Sequence, residues 1–250
     1  MKMHNIKPVQ AFCFDLDGTL VDGSRFDNAI RRTCTQLAES TGLDAGTLFD
    51  TNSRIWQSYW PTVEEKWTLG LLTSSTVSLE AWRRTLRECG REDESLAILA
   101  TDTLSQNRRG ALHLFDDVQE LLNFLRPHFS IALITNGASD TQRDTLRVLG
   151  IDRVFDAVVI SGEVGIAKPE AGIFSIALKQ LKVEPESAWH VGDSLTTDVA
   201  GARRAGLTSI WLNRGGRDTK KGDPVPDYEI RSLRDMKQMI RAERQEHGED

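Results

Sequence analysis

Six side chains able to move protons, hold a cation or grip an anion lie at the ends of short apolar runs or close behind them. Asp15 and Asp17 come directly after Val9-Gln10-Ala11-Phe12-Cys13-Phe14. Thr135 closes Ile131-Ala132-Leu133-Ile134, with Asn136 and Gly137 behind it. Lys168 stands before Pro169, and Asp193 and Asp198 follow Trp189-His190-Val191-Gly192. Carboxylates gathered at one point repel each other, which costs stability unless a cation is present. Hard oxygen ligands in this number suit Mg²⁺. A lysine and a hydroxyl at a helix start suit a bound phosphate.

These residues need elements that bring them together. The apolar runs are short and β-favouring, and they read as buried strands. Val158-Val159-Ile160 and Ser209-Ile210-Trp211-Leu212 read the same way. Helical spacing fills the intervals. Val118, Leu121, Leu122 and Leu125 mark one helix, ended by Pro127. Leu146 and Leu149 mark a second, stopped by Gly150, and Ile173, Ala177 and Leu181 a third. Val199 and Ala202 mark a fourth, stopped by Gly206. Strands alternating with helices imply an α/β fold with a parallel sheet. The active site of such a sheet lies outside the carboxyl ends of its strands. The polar clusters sit at those ends. Residues 22–110 differ, with no clear strand and four of the chain's six tryptophans, Trp56, Trp60, Trp67 and Trp82. Phe26, Ala29, Ile30, Thr33, Leu37 and Ala38 share a helical face with Gly42 as the stop, and Ser78 is the expected cap of a helix ending at Gly90. The rest of that stretch reads as helix and loop. Leu233, Met236 and Ile240 predict a closing surface helix.

Asp15-Leu16-Asp17-Gly18-Thr19-Leu20 resembles the first motif of the haloacid dehalogenase superfamily. Thr135-Asn136-Gly137, Lys168-Pro169 and Gly192-Asp193-Ser194-Leu195-Thr196-Thr197-Asp198 resemble its second, third and fourth, in matching order and spacing. The wording around Thr135 and over Gly162–Pro169 is similar to pyrimidine 5′-nucleotidases and N-acylneuraminate 9-phosphatases of that superfamily. The resemblance implies a Rossmann-like parallel sheet core, residues 1–21 and 111–250, carrying a smaller all-helical cap domain, residues 22–110. It implies a Mg²⁺-dependent phosphatase acting on a small-molecule phosphate monoester. Asp15 would be the nucleophile, giving an aspartyl-phosphate, and Asp17 the general acid and then the base. Thr135, Asn136, Gly137 and Lys168 would bind the phosphate. Asp15, Asp193, Asp198 and the backbone carbonyl of Asp17 would form the metal site, Asp198 through water or directly. Arg25, shortly after the first motif, is a candidate for a distal charge of the substrate.

Each residue also has a plainer reading. Asp15 and Asp17 could be turn residues, Thr135 a helix cap, and Asp198 a carboxylate at a helix start. His190 reads as structural and Cys13 as a small core residue. The insertion's tryptophans read as core more readily than as a substrate platform. Three other functions share parts of the pattern. A phosphomutase would keep the same core, but the early insertion lacks a Thr-x-x-Arg signature. A 2-haloacid dehalogenase would not need Asp17. A phospho-acceptor module would be about half as long and uncapped.

Composition excludes other classes. In 250 residues, 31 Lys and Arg against 37 Asp and Glu give a net charge of −6, which disfavours nucleic-acid binding. No apolar run reaches the ~18 residues of a membrane span, and Met1–Pro8 carries no apolar signal core. Three separated cysteines, Cys13, Cys34 and Cys89, fit neither a disulfide framework nor a zinc ribbon. No internal repeat or low-complexity tract interrupts the chain. The expected setting is the cytoplasm. Oligomeric state is not legible in the residues.

Overall fold

The computed structural model describes residues 8–246. Residues 1–7 and 247–250, counted above in the core domain and, at the start, as lacking a signal core, lie outside the described residues. The chain opens with strand β1 (Ala11–Phe14) and then runs through helices α1 (Phe26–Thr41), α2 (Ala45–Thr68), α3 (Ser74–Glu88) and α4 (Glu94–Ala111). The order continues as α5 (Val118–Leu125), β2 (Ser130–Thr135), α6 (Ser139–Val148), β3 (Ala157–Ile160), α7 (Ser161–Val164) and α8 (Ala171–Leu181). It closes with β4 (Ala188–Gly192), α9 (Ala200–Ala205), β5 (Thr208–Leu212), β6 (Tyr228–Ile230) and α10 (Asp235–Glu246). The six strands form one sheet in the order β3-β2-β1-β4-β5-β6, and every pairing is parallel.

Alternation along the central strands sorts large from small side chains. Phe12 and Phe14, with Ile131, Leu133 and Val191, face a layer containing α5 and α10. Ala11, Cys13 and Ala132 point the other way, against Ile173, Phe174 and Ala177 of α8. Small residues on that face let α8 lie close to the sheet. Cys13 is wholly buried there, and burial pushes its thiol up to about 12, so it packs as a small apolar group. The helices between β1 and α5 pack on one another around two further clusters. No described helix is long and apolar enough to cross a membrane.

Five local features differ from expectation. Ser78 is not a cap. The cap is Thr73, five residues earlier, so α3 begins at Ser74, and the Thr73 hydroxyl accepts from the Thr76 amide at 3.2 Å. Thr73 has the extended backbone a capping residue needs, whereas Ser78 lies a turn inside the helix. Thr135 is not a helix cap either. It is the last residue of β2, and α6 starts only after the Asn136-Gly137-Ala138 loop. The helix holding Ala202 opens with a π-helical turn over Leu195–Val199. Strand β6 carried no signal, because Tyr228-Glu229-Ile230 is three residues long with a single buried side chain. The helix from Asp235 does close the fold, and Leu233, Met236 and Ile240 are fully buried rather than lying at the surface.

Candidate active site

The parallel sheet brings the carboxyl ends of β1, β2 and β4 side by side. Asp15 leaves β1, Thr135 ends β2 and Asp193 follows β4. Asp15 is almost fully buried, and its Oδ1 accepts from Lys168 Nζ at 2.5 Å. Its Oδ2 accepts from the Thr19 hydroxyl at 3.2 Å. Lys168 also donates to Asp198 Oδ1 at 2.6 Å, so one buried ammonium bridges two buried carboxylates. Asp198 further accepts from His190 Nε2 at 3.0 Å and, through Oδ2, from the Ser194 amide at 3.1 Å. Gly192 makes that approach possible. A Cβ there would lie 2.2 Å from the Asp198 Cγ.

Burial and charge split the carboxylates. Desolvation pushes Asp15 up to about 7, against the pull of Lys168. Burial acts on Asp198 the same way, but Lys168 and His190 outweigh it and hold Asp198 well below the usual carboxylate range. Lys168 is raised: burial disfavours its charge, and the two aspartates overcome that. Burial lowers His190 despite its bond to Asp198. Asp193 is raised by burial and by the nearby Asp198 charge.

One oxygen from each of Asp15, Asp193 and Asp198 lies within 4.8 Å of the others. The Asp193 main chain is fixed, its carbonyl accepting from Trp211 Nε1 at 3.0 Å and from Arg217 Nη2 at 2.8 Å. Its carboxylate takes no hydrogen bond from another described residue. Asp15 and Asp198 keep unshared lone pairs on Oδ2, whereas Asp198 Oδ1 already has two partners. An acceptor-only cluster with one undersupplied carboxylate fits a small hard cation such as Mg²⁺. The Asp17 carboxylate is not one of its members.

Asp17 is exposed at the start of a tight turn, where Gly18 N–H donates to the Val21 carbonyl at 2.9 Å. Gln142 Nε2 donates to Asp17 Oδ2 at 2.9 Å and to the Asn136 carbonyl at 3.0 Å. Asn136 spends its side chain on the Lys168 segment: it donates to the Lys168 carbonyl at 3.0 Å and accepts from the Lys168 amide at 2.9 Å. The Gly137 amide donates to Ser161 Oγ at 2.9 Å, and Ser161 Oγ donates to the Thr68 carbonyl at 2.5 Å. That last bond ties the end of α2 to the sheet edge. The Thr135 hydroxyl has only a 3.5 Å contact to the Asn136 carbonyl, which leaves it available to a ligand.

Arg25 is not brought here. It is exposed at the start of α1 and lines a separate depression with Asn28, Arg32 and Asn107. Another arginine enters instead. Arg108, on α4, lines the cavity between the inserted helices and α6. Burial lowers it, partly offset by the charges of Asp17, Asp144 and Asp140. Trp56, Trp60 and Trp67 line the same cavity. Sequence reading left out Gln142, Ser161 and Arg108, which belong to no motif. For His190 a signal existed: strand alternation sets it beside Cys13 in the register of β1 and β4, on the face where Asp198 returns.

Residues 9–206 match the family model described as haloacid dehalogenase-like hydrolase. A glyceraldehyde 3-phosphate phosphatase of Methanopyrus kandleri is 29% identical over 238 residues, covering 93% of this chain and 97% of that protein. The pyrimidine 5′-nucleotidase YjjG of Escherichia coli is 31% identical over 232 residues, covering 91% of this chain and 96% of its own length. A crystal structure of the HAD-hydrolase YfnB of Bacillus subtilis bound to magnesium superposes with a TM-score of 0.70 at 26% identity, covering 94% of this chain and 99% of that one. With the motif residues gathered at one sheet edge and most of the length matched, the chain belongs to the haloacid dehalogenase-like hydrolases.

Proposed function

We propose that this hydrolase is a Mg²⁺-dependent phosphatase that cleaves small-molecule phosphate monoesters through an aspartyl-phosphate on Asp15. The observation that carries the reading is the division of labour between two aspartates two residues apart. Asp15 is buried against Lys168 and Thr19, while Asp17 stands in the open, oriented by Gln142.

Asp15, Asp193 and Asp198, with the Asp17 carbonyl, would hold the cation. Bound there, Mg²⁺ supplies charge neutralisation and Lewis acidity toward a phosphoryl oxygen. Lys168 and the Thr135 hydroxyl bind phosphoryl oxygens, and Lys168 also offsets the charge of Asp15. An Asp15 oxygen attacks phosphorus while the ester P–O bond breaks, and Asp17 gives its proton to the leaving oxygen. Asp17, now a carboxylate, takes a proton from water. That water attacks the same phosphorus, the bond to Asp15 breaks, and Asp15 is regenerated. Asp198 anchors Lys168 and lends its remaining lone pair to the metal site. A dehalogenase has no leaving alkoxide to protonate, so Asp17 supports the phosphatase reading over that chemistry. We assign residues 22–110, which hold α1–α3 and all of α4 but its last residue, to a cap that shields this chemistry from water.

The test is phosphate release from a panel of monoesters, with Mg²⁺ and with excess chelator. Release that needs Mg²⁺ and disappears in Asp15→Asn supports the reading. Wild-type turnover in Asp15→Asn would remove the nucleophile.

A further inference from the structure

The cavity between α1–α4 and α6, the helix that follows the Asn136-Gly137 loop, has a volume of about 580 Å³, within the range of sites for drug-sized ligands. Its wall is mostly apolar. Trp56, Trp60 and Trp67 recur at intervals of four and seven along α2, so they share one helical face. Their rings form a continuous row, with centroids 6.0 Å apart between Trp56 and Trp60 and 5.2 Å between Trp60 and Trp67. The row begins at the phosphate loop. A Cβ on Gly137, whose φ is +143°, would lie 2.6 Å from the Trp67 ring. Trp67 is locked there by its indole N–H, which donates to Ser74 Oγ at 2.8 Å.

Two polar groups in this wall make no hydrogen bond that would hold them: one is buried, the other half-buried. Ser78 Oγ is buried without a hydrogen bond. The half-buried Arg108 guanidinium lies 5.4 Å from the Phe26 ring centroid and makes no hydrogen bond or ion pair among the described residues, although Asp140 and Asp144 lie in the same wall. Those two are engaged elsewhere: Asp140 accepts from the Ser74 amide at 3.0 Å, and Asp144 accepts from Arg109 at 2.7 Å. The buried Ser78 hydroxyl is costly without a partner, and a ligand that supplies one removes that cost; Arg108 keeps donors free for the same ligand.

We infer that this cleft is the leaving-group site, and that the alcohol released carries a planar heteroaromatic ring: stacked on Trp60, whose neighbours Trp56 and Trp67 are tilted 50° and 66° to it and wall the ring's edges, with its polar edge toward Ser78 and Arg108. The assignment rests on the phosphatase reading above. A nucleoside 5′-monophosphate has this chemistry. A three-carbon alcohol does not, since it would leave most of the indole surface without contacts.

The decisive comparison is kcat/KM for uridine 5′-monophosphate against ribose 5-phosphate. Both release a primary alkoxide, so they differ in the ring and not in the bond broken. Stacking of one base on an aromatic side chain predicts a preference of about tenfold or more for the nucleotide. Trp60→Ala should lower that ratio at least about fivefold, and Trp60→Phe, which keeps a ring, should retain most of it. Quenching of tryptophan fluorescence by uridine reads the same cleft without turnover. A wild-type ratio near one, or no quenching by uridine, overturns the inference and leaves the phosphatase intact. So does a ratio unchanged in folded Trp60→Ala. No release from either ester or from p-nitrophenyl phosphate overturns the phosphatase reading, and the substrate assignment falls with it.

Discussion

Replacing Lys168 by methionine removes the buried ammonium while keeping much of its volume. Its Nζ lies 2.5 Å from Asp15 and 2.6 Å from Asp198, and all three side chains are at most 10% exposed. Without a metal, the variant would face two carboxylates across a dry gap. Breaking a buried ion pair by deleting one partner costs about 3–5 kcal/mol. A ceiling comes from protonation, because a stranded carboxylate takes up a proton rather than remain charged. At pH 7, neutralising a carboxylate of ordinary pKa costs about 4 kcal/mol, and at pH 5 about 1.5 kcal/mol. Asp15 already titrates at about 7, so it accepts its proton with little further cost. Asp198, held low by Lys168 and His190, carries most of the loss. The sign follows from linkage. In the variant Asp198 is raised above its unfolded value, so the folded state binds more protons and stability recovers as pH falls. In the wild type Asp198 is depressed, and its contribution is still present at pH 5. Urea denaturation of metal-free protein should show a loss of about 3–4 kcal/mol at pH 7, shrinking by half or more at pH 5. With a slope near 3 kcal/mol/M, the pH 7 midpoint falls by about 1–1.3 M. A loss under about 1 kcal/mol at pH 7, or an equal loss at both pH values, would refute the reasoning.

Other consequences are independent of that variant. Asp17→Asn should slow turnover by about 10²–10⁴-fold, the range for general acid–base groups, and an unchanged rate removes it from proton transfer. Asp15 at about 7 and the raised Asp193 mean that Mg²⁺ must displace protons below neutrality. Calorimetry between pH 5.5 and 7.5 should therefore find affinity rising with pH, with proton release on binding; a flat profile contradicts the buried-carboxylate account. Asp117 ties the start of α5 to the chain's end, accepting from Arg214 at 2.8 and 2.9 Å, from Ser232 at 2.7 Å and from the Leu233 amide at 2.9 Å. Burial alone would raise Asp117, but these donors hold it below its ordinary value, so its contribution is present above about pH 4 and is lost as pH falls through the folded value. Thermal or urea unfolding of Asp117→Ala should show about 3–5 kcal/mol less stability, with a smaller loss in Asp117→Asn.

The surroundings of Asp198 also bear on how the site is held. Three donors from Lys168, His190 and Ser194 converge on one carboxylate, and none of the three lies on the element that carries Asp15. Lys168 is in turn fixed through its backbone by Asn136, which reaches across from the end of β2. The nucleophile's setting is therefore a network rather than a pair, and its members lock each other's rotamers.

Much of the fold and the motif residues was legible in the chain, because period-2 and helical patterns are local. Phe12 and Phe14 against Ala11 and Cys13 declare two faces of one strand, and the carboxyl end of that strand locates Asp15. Four motifs in order were enough to identify the family and the residues that gather at the sheet edge. The caps were less legible. Ser78 and Thr73 both suit a helix start, and only the backbone path decides between them.

What only the tertiary structure decided involves partners far apart in sequence. Gln142 meets Asp17 across 125 positions, and Lys168 meets Asp15 across 153. The first pairing has no motif to announce it. Arg25, close to the nucleophile in sequence, turns away, while Arg108 comes back to the cavity on α4. The tryptophans had composition as a clue, but whether they faced a core or a ligand depended on how α2 meets the Asn136-Gly137 loop. Local propensity sets which residues share a face. Which faces meet depends on long-range packing, and that is a property of the whole chain.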